Sequence, residues 1–243
     1  MRSSVIAETI KPISPDAHCD MCIYHSNAFC HLPEDTLRTF YEISIQEEFD
    51  EGEYLFFEGQ KPEGVYVLCS GRAKFLIGSN KGKSLMRIAL PGEILGLNAV
   101  MSGKPYEGSA EMLNSGRVRF IRHDAFMNFL RENGPASFRA AEFISRDYFA
   151  VHEQIRSLAL SGSVIEKLAK LLLHLCETDA DETADGTHLK ISLTHEEIAQ
   201  MIGTSRETVT RILSDLKSRR IIHGNGSGFI IHDKIALENL IDN

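Results

Sequence analysis

Three of the five cysteines, Cys19, Cys22 and Cys30, fall within twelve residues near the N-terminus, separated by two and seven residues. Thiolates gathered this closely are ligands for soft metals, either zinc or an iron–sulfur cluster. Without a metal they are redox-active thiols. The fourth ligand is open. Cys69 ends a strand-like run, where a lone cysteine reads first as a small core hydrophobe. Asp147, on a long helical stretch, is a second possibility. Cys176 closes an apolar helix, and His18 and His25 beside the cluster read as solvated. An odd cysteine count speaks against a disulfide framework.

A second set of residues carries recognition chemistry. Residues 194–217 read THEEIAQMIGTSRETVTRILSDLK. Thr194 and Glu197 have capping-box spacing, so a helix starts near 195. Ile198, Met201 and Ile202 form its inward face. Gly203 stands where that helix must end and the chain turn. Ser205 caps a second helix, whose buried stripe is Val209, Ile212, Leu213 and Leu216. Two short helices joined by a glycine turn make a helix-turn-helix. The second helix exposes Arg206, Glu207, Thr210 and Arg211 on its N-terminal half, the part that enters a major groove. Thr204 and Ser205 lie at its start. Arginine can donate two bonds to guanine, and glutamate can accept from cytosine N4. Residues 205–222 hold five cations against two carboxylates, although the whole chain carries a net charge of −8. A locally basic element in an acidic protein fits a DNA-reading helix.

The elements that must position these residues fall into four segments of a 243-residue chain, enough for two small cores. Residues 1–34 are irregular and bear the cysteines. Residues 35–134 open with a helix, PEDTLRTFYEIS, and continue as glycine-punctuated short strands. RVRFIR and RAKFLI alternate as half-buried strands do, and GVYVLCSG reads as a fully buried one. About eight strands in a barrel or sandwich are expected. Residues 135–162 form one long helix with Ala141, Ile144, Tyr148, Val151, Ile155 and Leu158 along one seam. That seam packs either on the chain's own barrel or on a second copy as a two-stranded coiled coil. Residues 163–243 form the DNA-binding unit, opened by a Ser163–Glu166 capping box. An acidic run at 177–186 reads as a solvated hairpin or linker, and IIHGNGSGFIIHD as a β-hairpin wing. The fold class is α+β. No apolar run reaches membrane or signal-peptide length, so a cytoplasmic protein is expected. No P-loop, GxSxG or HExxH pattern is present, which speaks against an enzyme.

EEIAQMIGTSRETVTRILSDLK, EGQKPEGVYVLCSG and ALPGEILGLNAV resemble the CRP/FNR family of bacterial transcription regulators over nearly the whole chain. The resemblance implies a cyclic-nucleotide-binding-type β-roll (a jelly roll), a long dimerisation helix and a C-terminal winged helix-turn-helix. It also implies a homodimer on double-stranded DNA and contact with RNA polymerase. Arg206, Glu207 and Arg211 match the base-reading positions of the CRP branch, which implies a palindromic TGTGA-like site. The cyclic AMP positions are not kept: Leu97 stands where that branch has a glutamate, and Gly108 where it has an arginine. The cysteine cluster is similar to that of the FNR branch and implies a [4Fe–4S] cluster sensing oxygen, nitric oxide or redox state. The gap before Cys30 is longer than usual there, and no cysteine falls near 116–119, where that branch places its fourth. The same regulator responding to zinc, thiol oxidation, a haem-bound gas or a small ligand is the alternative. A cyclic-nucleotide module of a kinase or channel would share the roll but lack TSRETVTRIL.

Overall fold

The computed structural model describes residues 27–79, 82–160, 163–225 and 228–241. Cys19, Cys22, His18 and His25 lie outside the described residues. After helix α1 (Glu34–Ile43) come eight strands: β1 (Ile45–Phe49), β2 (Tyr54–Phe56), β3 (Gly64–Leu68), β4 (Arg72–Ser79), β5 (Gly82–Ala89), β6 (Ile94–Leu95), β7 (Ser109–Asn114) and β8 (Gly116–Arg122). The short helix α2 (Leu97–Ser102) sits between β6 and β7. The strands make two antiparallel sheets, ordered β1-β8-β3-β6 and β2-β7-β4-β5. Leu68, Ala73, Met112 and Val118 close the space between them. This is the eight-stranded roll that the glycine-spaced runs predict.

A second apolar layer lies outside the roll. Val65, Val67 and Ile121 turn toward α1, α3 (His123–Glu132) and the long helix α4 (Gly134–Leu160). Phe29 is its centre, wholly buried, with ring centroids 6.1 Å from Phe40 and 5.9 Å from both Phe126 and Phe143. Burying one such ring stabilises by about 1.5–3 kcal/mol, and each well-placed aromatic pair adds roughly 0.5–1.5 kcal/mol. The backbone beside it is pinned as well. Phe29 N–H donates to Gly92 O at 2.7 Å, and Arg139 on α4 donates twice to Ala28 O, at 2.7 and 3.0 Å. The segment entering the roll is therefore fixed to both the roll and α4.

Helix α4 has two apolar faces. Ala136, Ala140 and Phe143 are buried against the roll. Phe138, Tyr148, Phe149 and Val151 are more than half exposed. Of the expected seam, Ala141, Tyr148 and Val151 face solvent, whereas Ile144 rests on the edge of the roll's apolar layer. Ile155 and Leu158 belong to the last turns, where the backbone alone is described.

The C-terminal unit follows as α5 (Val164–Thr178), β9 (Ala180–Thr183), β10 (Gly186–Leu189), α6 (His195–Ile202), α7 (Arg206–Ser218), β11 (Ile222–Asn225), β12 (Gly228–Ile231) and α8 (Lys234–Glu238). Its four strands form one antiparallel sheet, β11-β12-β10-β9. The acidic run is a hairpin, and it pairs with the wing rather than standing apart. Ser163 caps α5 by accepting from Glu166 N–H at 3.2 Å, while the Glu166 carboxylate pairs with Lys170.

Candidate nucleic-acid interface and effector region

Local chemistry sets the geometry of α6 and α7. Thr194 Oγ1 accepts from Glu197 N–H at 3.2 Å, and Glu197 Oε2 accepts from Thr194 N–H at 2.8 Å, a complete capping box. Gly203 takes φ 68°, the left-handed turn that side chains resist. Ser205 caps α7 through Thr208 N–H at 3.3 Å. Val209, Ile212, Leu213 and Leu216 are buried. Arg206, Glu207, Thr210 and Arg211 are consequently exposed together, with Ser205 exposed and Thr204 half-buried at the start of the helix. Hydrogen bonds from its own backbone N–H and from Ser205 hold the Glu207 carboxyl below its ordinary range, so it is an ionised acceptor at neutral pH. Two arginine forks flanking a carboxylate form a surface suited to base edges. His195, not singled out from the sequence, reaches across from α6 and places Nδ1 2.8 Å from Thr210 Oγ1.

The roll seats this pair of helices. Asp179, whose side chain is 4% exposed, takes a bidentate grip from Arg72 of β4, with Nε–Oδ2 at 2.6 Å and Nη2–Oδ1 at 2.5 Å. Glu197 Oε1 pairs with Lys74 Nζ at 2.5 Å. Leu85 N–H of β5 donates to Gln200 Oε1 at 2.9 Å. Leu76 and Leu85 of the roll share one apolar cluster with Leu172, Ile198 and Ile202. The acidic run expected to be solvated thus supplies a buried anchor. No local pattern announces this, because the partner of Asp179 lies 107 residues away.

A cleft of about 1360 Å³ opens where β5, α4 and α5 meet. Arg87 lines it, paired with Glu93 at 2.5 Å and with Asp147 at 3.7 Å, its guanidinium over the Phe75 ring. Burial pushes the Asp147 carboxyl up, and Arg87 pulls it back; Asn98 also approaches it, at 3.5 Å. Gly108 backs onto the same ring. A Cβ there would stand 2.7 Å from Phe75 Cζ and 2.8 Å from Leu76 O. The place from which a phosphate-binding arginine would emerge is filled by an aromatic ring. Leu97 is buried in the outer apolar layer.

Cys30 is half-buried beside the Phe29 anchor. Cys69, half-buried at the end of β3, turns its thiol toward Val67 O, and Cys176 packs against the core of the DNA-binding unit, where burial raises its thiol. Among the described residues, no group of three or more histidine, cysteine or acidic side chains could hold a metal.

Comparison with known proteins agrees with the two halves of this geometry. Residues 46–133 match the cyclic nucleotide-binding domain, and residues 166–240 match the Crp-like helix-turn-helix domain. The chain carries the two domains of a CRP/FNR-type regulator. This CRP/FNR-type regulator is 29% identical over 205 residues to the anaerobic regulatory protein of Bacillus subtilis, covering 84% of this chain and 86% of that one. It is 28% identical over 181 residues to the cAMP-activated global regulator of Salmonella typhimurium, covering 73% and 85%. Among solved structures, FixK2 from Bradyrhizobium japonicum superposes with a TM-score of 0.73 at 20% identity, over 82% of this chain and 97% of that one, a likeness of fold alone. A CRP-family regulator from Thermus thermophilus gives 0.69 at 25% identity, over 81% and 97%. The curated relatives are transcription regulators rather than enzymes, and DNA binding follows from the helix-turn-helix. No helix among the described residues is long and apolar enough to cross a membrane.

Proposed function

We propose that this regulator acts as a homodimer on inverted TGTGA-like half-sites and reads oxygen, nitric oxide or redox state through a [4Fe–4S] cluster held by Cys19, Cys22 and Cys30. The observation that carries the sensing half is the anchor at residues 28–30. Phe29 is locked among Phe40, Phe126 and Phe143, and Arg139 of α4 grips Ala28 O. Cys30 is therefore tied to the roll and to the helix that would join two subunits. The donor set fits a soft metal centre. When bound, a [4Fe–4S] cluster supplies reactivity toward oxygen and nitric oxide. Asp147 is the favoured fourth ligand over Cys69. Arg146, its neighbour in the chain, donates to Asn27 O at 3.4 Å, and Asn27 and Asp147 line the same cleft.

What the chain's own residues do is transmit order. An ordered N-terminal segment reinforces the Phe29 anchor and so biases α4. A bias of a few kcal/mol changes DNA occupancy many-fold. The dimer reading is supported by Phe138, Tyr148, Phe149 and Val151, apolar side chains that are more than half exposed among the described residues. The filled arginine position at Gly108 disfavours cyclic AMP. Purification without oxygen tests the sensing reading. Broad visible absorbance, with iron and sulfide in equal amounts, lost in air and lost in Cys30→Ser, supports it. A colourless, iron-free protein refutes the cluster and moves the effector to zinc, thiol oxidation or an organic ligand in the cleft beside Arg87.

A further inference from the structure

His195 opens α6, and its ring spans to the reading face of α7, with Nδ1 2.8 Å from Thr210 Oγ1. The Thr210 hydroxyl already donates to Arg206 O, at 2.9 Å. Its remaining capacity toward the ring is as an acceptor, so Nδ1 carries the hydrogen. In the neutral ring Nε2 is then a bare acceptor, on the side away from Thr210. In a docked helix-turn-helix the first helix crosses the sugar–phosphate backbone while the second enters the groove. A ring on the first helix that touches the second helix's reading face stands at the boundary between the two.

We propose that His195 is a DNA-contacting residue that takes up a proton when α7 enters the groove, so that operator affinity falls as pH rises. The proposal rests on the DNA-binding reading of α6 and α7. A neutral Nε2 meets a phosphate oxygen acceptor to acceptor; a protonated one donates and adds charge. In the free protein, partial burial and then the cations Lys217 and Arg206 of α7 hold the imidazole below its ordinary range. The other elements packed on α6 leave that balance in place. β4 sends Lys74 to Glu197, β5 meets α6 through the Leu85–Gln200 hydrogen bond, and α5 meets it through Leu172 and its apolar neighbours. On α6 itself, Glu196 follows His195 and is exposed. DNA phosphates offset the two cations and raise the imidazole's affinity for a proton. Between the lowered free value and the raised bound one, binding consumes a proton. Affinity then falls by up to about tenfold per pH unit for each bound subunit, and it is flat outside that window.

The test uses the full chain, prepared without oxygen, and a fluorescent duplex carrying two inverted TGTGA half-sites. Binding is followed by anisotropy at constant ionic strength, for the wild type and for His195→Gln, which keeps a hydrogen-bonding group near Thr210 but does not titrate. Wild-type affinity is expected to fall at least about fivefold from about pH 6 to about pH 8, with His195→Gln flat across that range. Proton NMR of the His195 ring is expected to show its titration midpoint moving up on adding the duplex. Equal pH profiles for the two proteins, or an unmoved midpoint in a bound complex, overturn the proposal and leave DNA binding intact. A duplex bound at no pH overturns the DNA-binding reading itself.

Discussion

Arg206 and Arg211 stand exposed on the same half of α7, with Thr210 beside them and an ionised Glu207 between. A bidentate arginine–guanine contact discriminates by about 1–3 kcal/mol. Arg211→Ala is therefore expected to weaken operator binding by roughly 5- to 150-fold for each half-site and to relax preference at one base pair of each half-site, measured by competition against single-base variants. The Arg72–Asp179 pair carries a different risk. With Arg72 removed, a carboxylate that is 4% exposed loses its bidentate partner. Arg72→Ala should cost roughly 3–5 kcal/mol in thermal or denaturant unfolding, and Arg72→Met with Asp179→Leu should recover most of it. A fully stable Arg72→Ala protein would contradict the burial of Asp179. These residues also mark how far the sequence could be read. The Thr194–Glu197 box, the Ser205 cap and the buried stripe of α7 are contacts over three or four residues, and all stand in the spacing. The partners of Asp179 and Gln200 lie 107 and 115 residues away, and no periodicity encodes them. His195 carries no such signal for a simpler reason: its partner Thr210 sits on the next helix, fifteen residues on.

Helix α4 was legible as an element and only half legible as a surface. Tyr148 and Val151 of the heptad seam point outward, but Ile144 belongs to the roll's outer layer. Exposed Phe138 and Phe149 lie off the seam and widen the apolar face. Periodicity finds an apolar stripe; it does not say which of two neighbours the stripe meets. Tyr148→Glu places a charge on this exposed face and should leave the subunit folded while lowering the sedimentation coefficient to that of a monomer. A dimer that persists would move the interface elsewhere. On the opposite side, Phe29 packs on α1, α3 and α4 through Phe40, Phe126 and Phe143, and its N–H donates to Gly92 O of the roll. Phe29→Ala should destabilise by about 3–5 kcal/mol, as large-to-small changes in packed cores do, and should loosen the segment that bears Cys30. Limited proteolysis near the N-terminus reads the second effect. The strands of the roll were legible from glycine spacing and alternation, whereas the pairing of the acidic hairpin with the wing was not, because strand partners are chosen by tertiary packing.

At the scale of the whole molecule, the roll and the DNA-binding unit share an apolar cluster and three polar ties across β4 and β5. One cooperative melting transition is expected rather than two. Burial alone would raise the Glu197 carboxyl, but hydrogen bonds from Lys74 and Thr194 outweigh it and hold it below its ordinary range. A depressed carboxyl stabilises the fold above its unfolded value and loses that contribution as pH falls through the folded one. Acidification through the carboxylate range should therefore loosen the seat, and Glu197→Gln should flatten that part of the melting-temperature profile against pH. Glu197 divides its two oxygens between separate duties: Oε2 closes the start of α6 through Thr194, and Oε1 reaches Lys74 on the roll. The peg that fastens the reading head to its base is thus also the clasp that keeps α6 wound at its first turn. Swinging the head away from the base frees one oxygen of that carboxylate, and the first helix feels the swing at its own beginning.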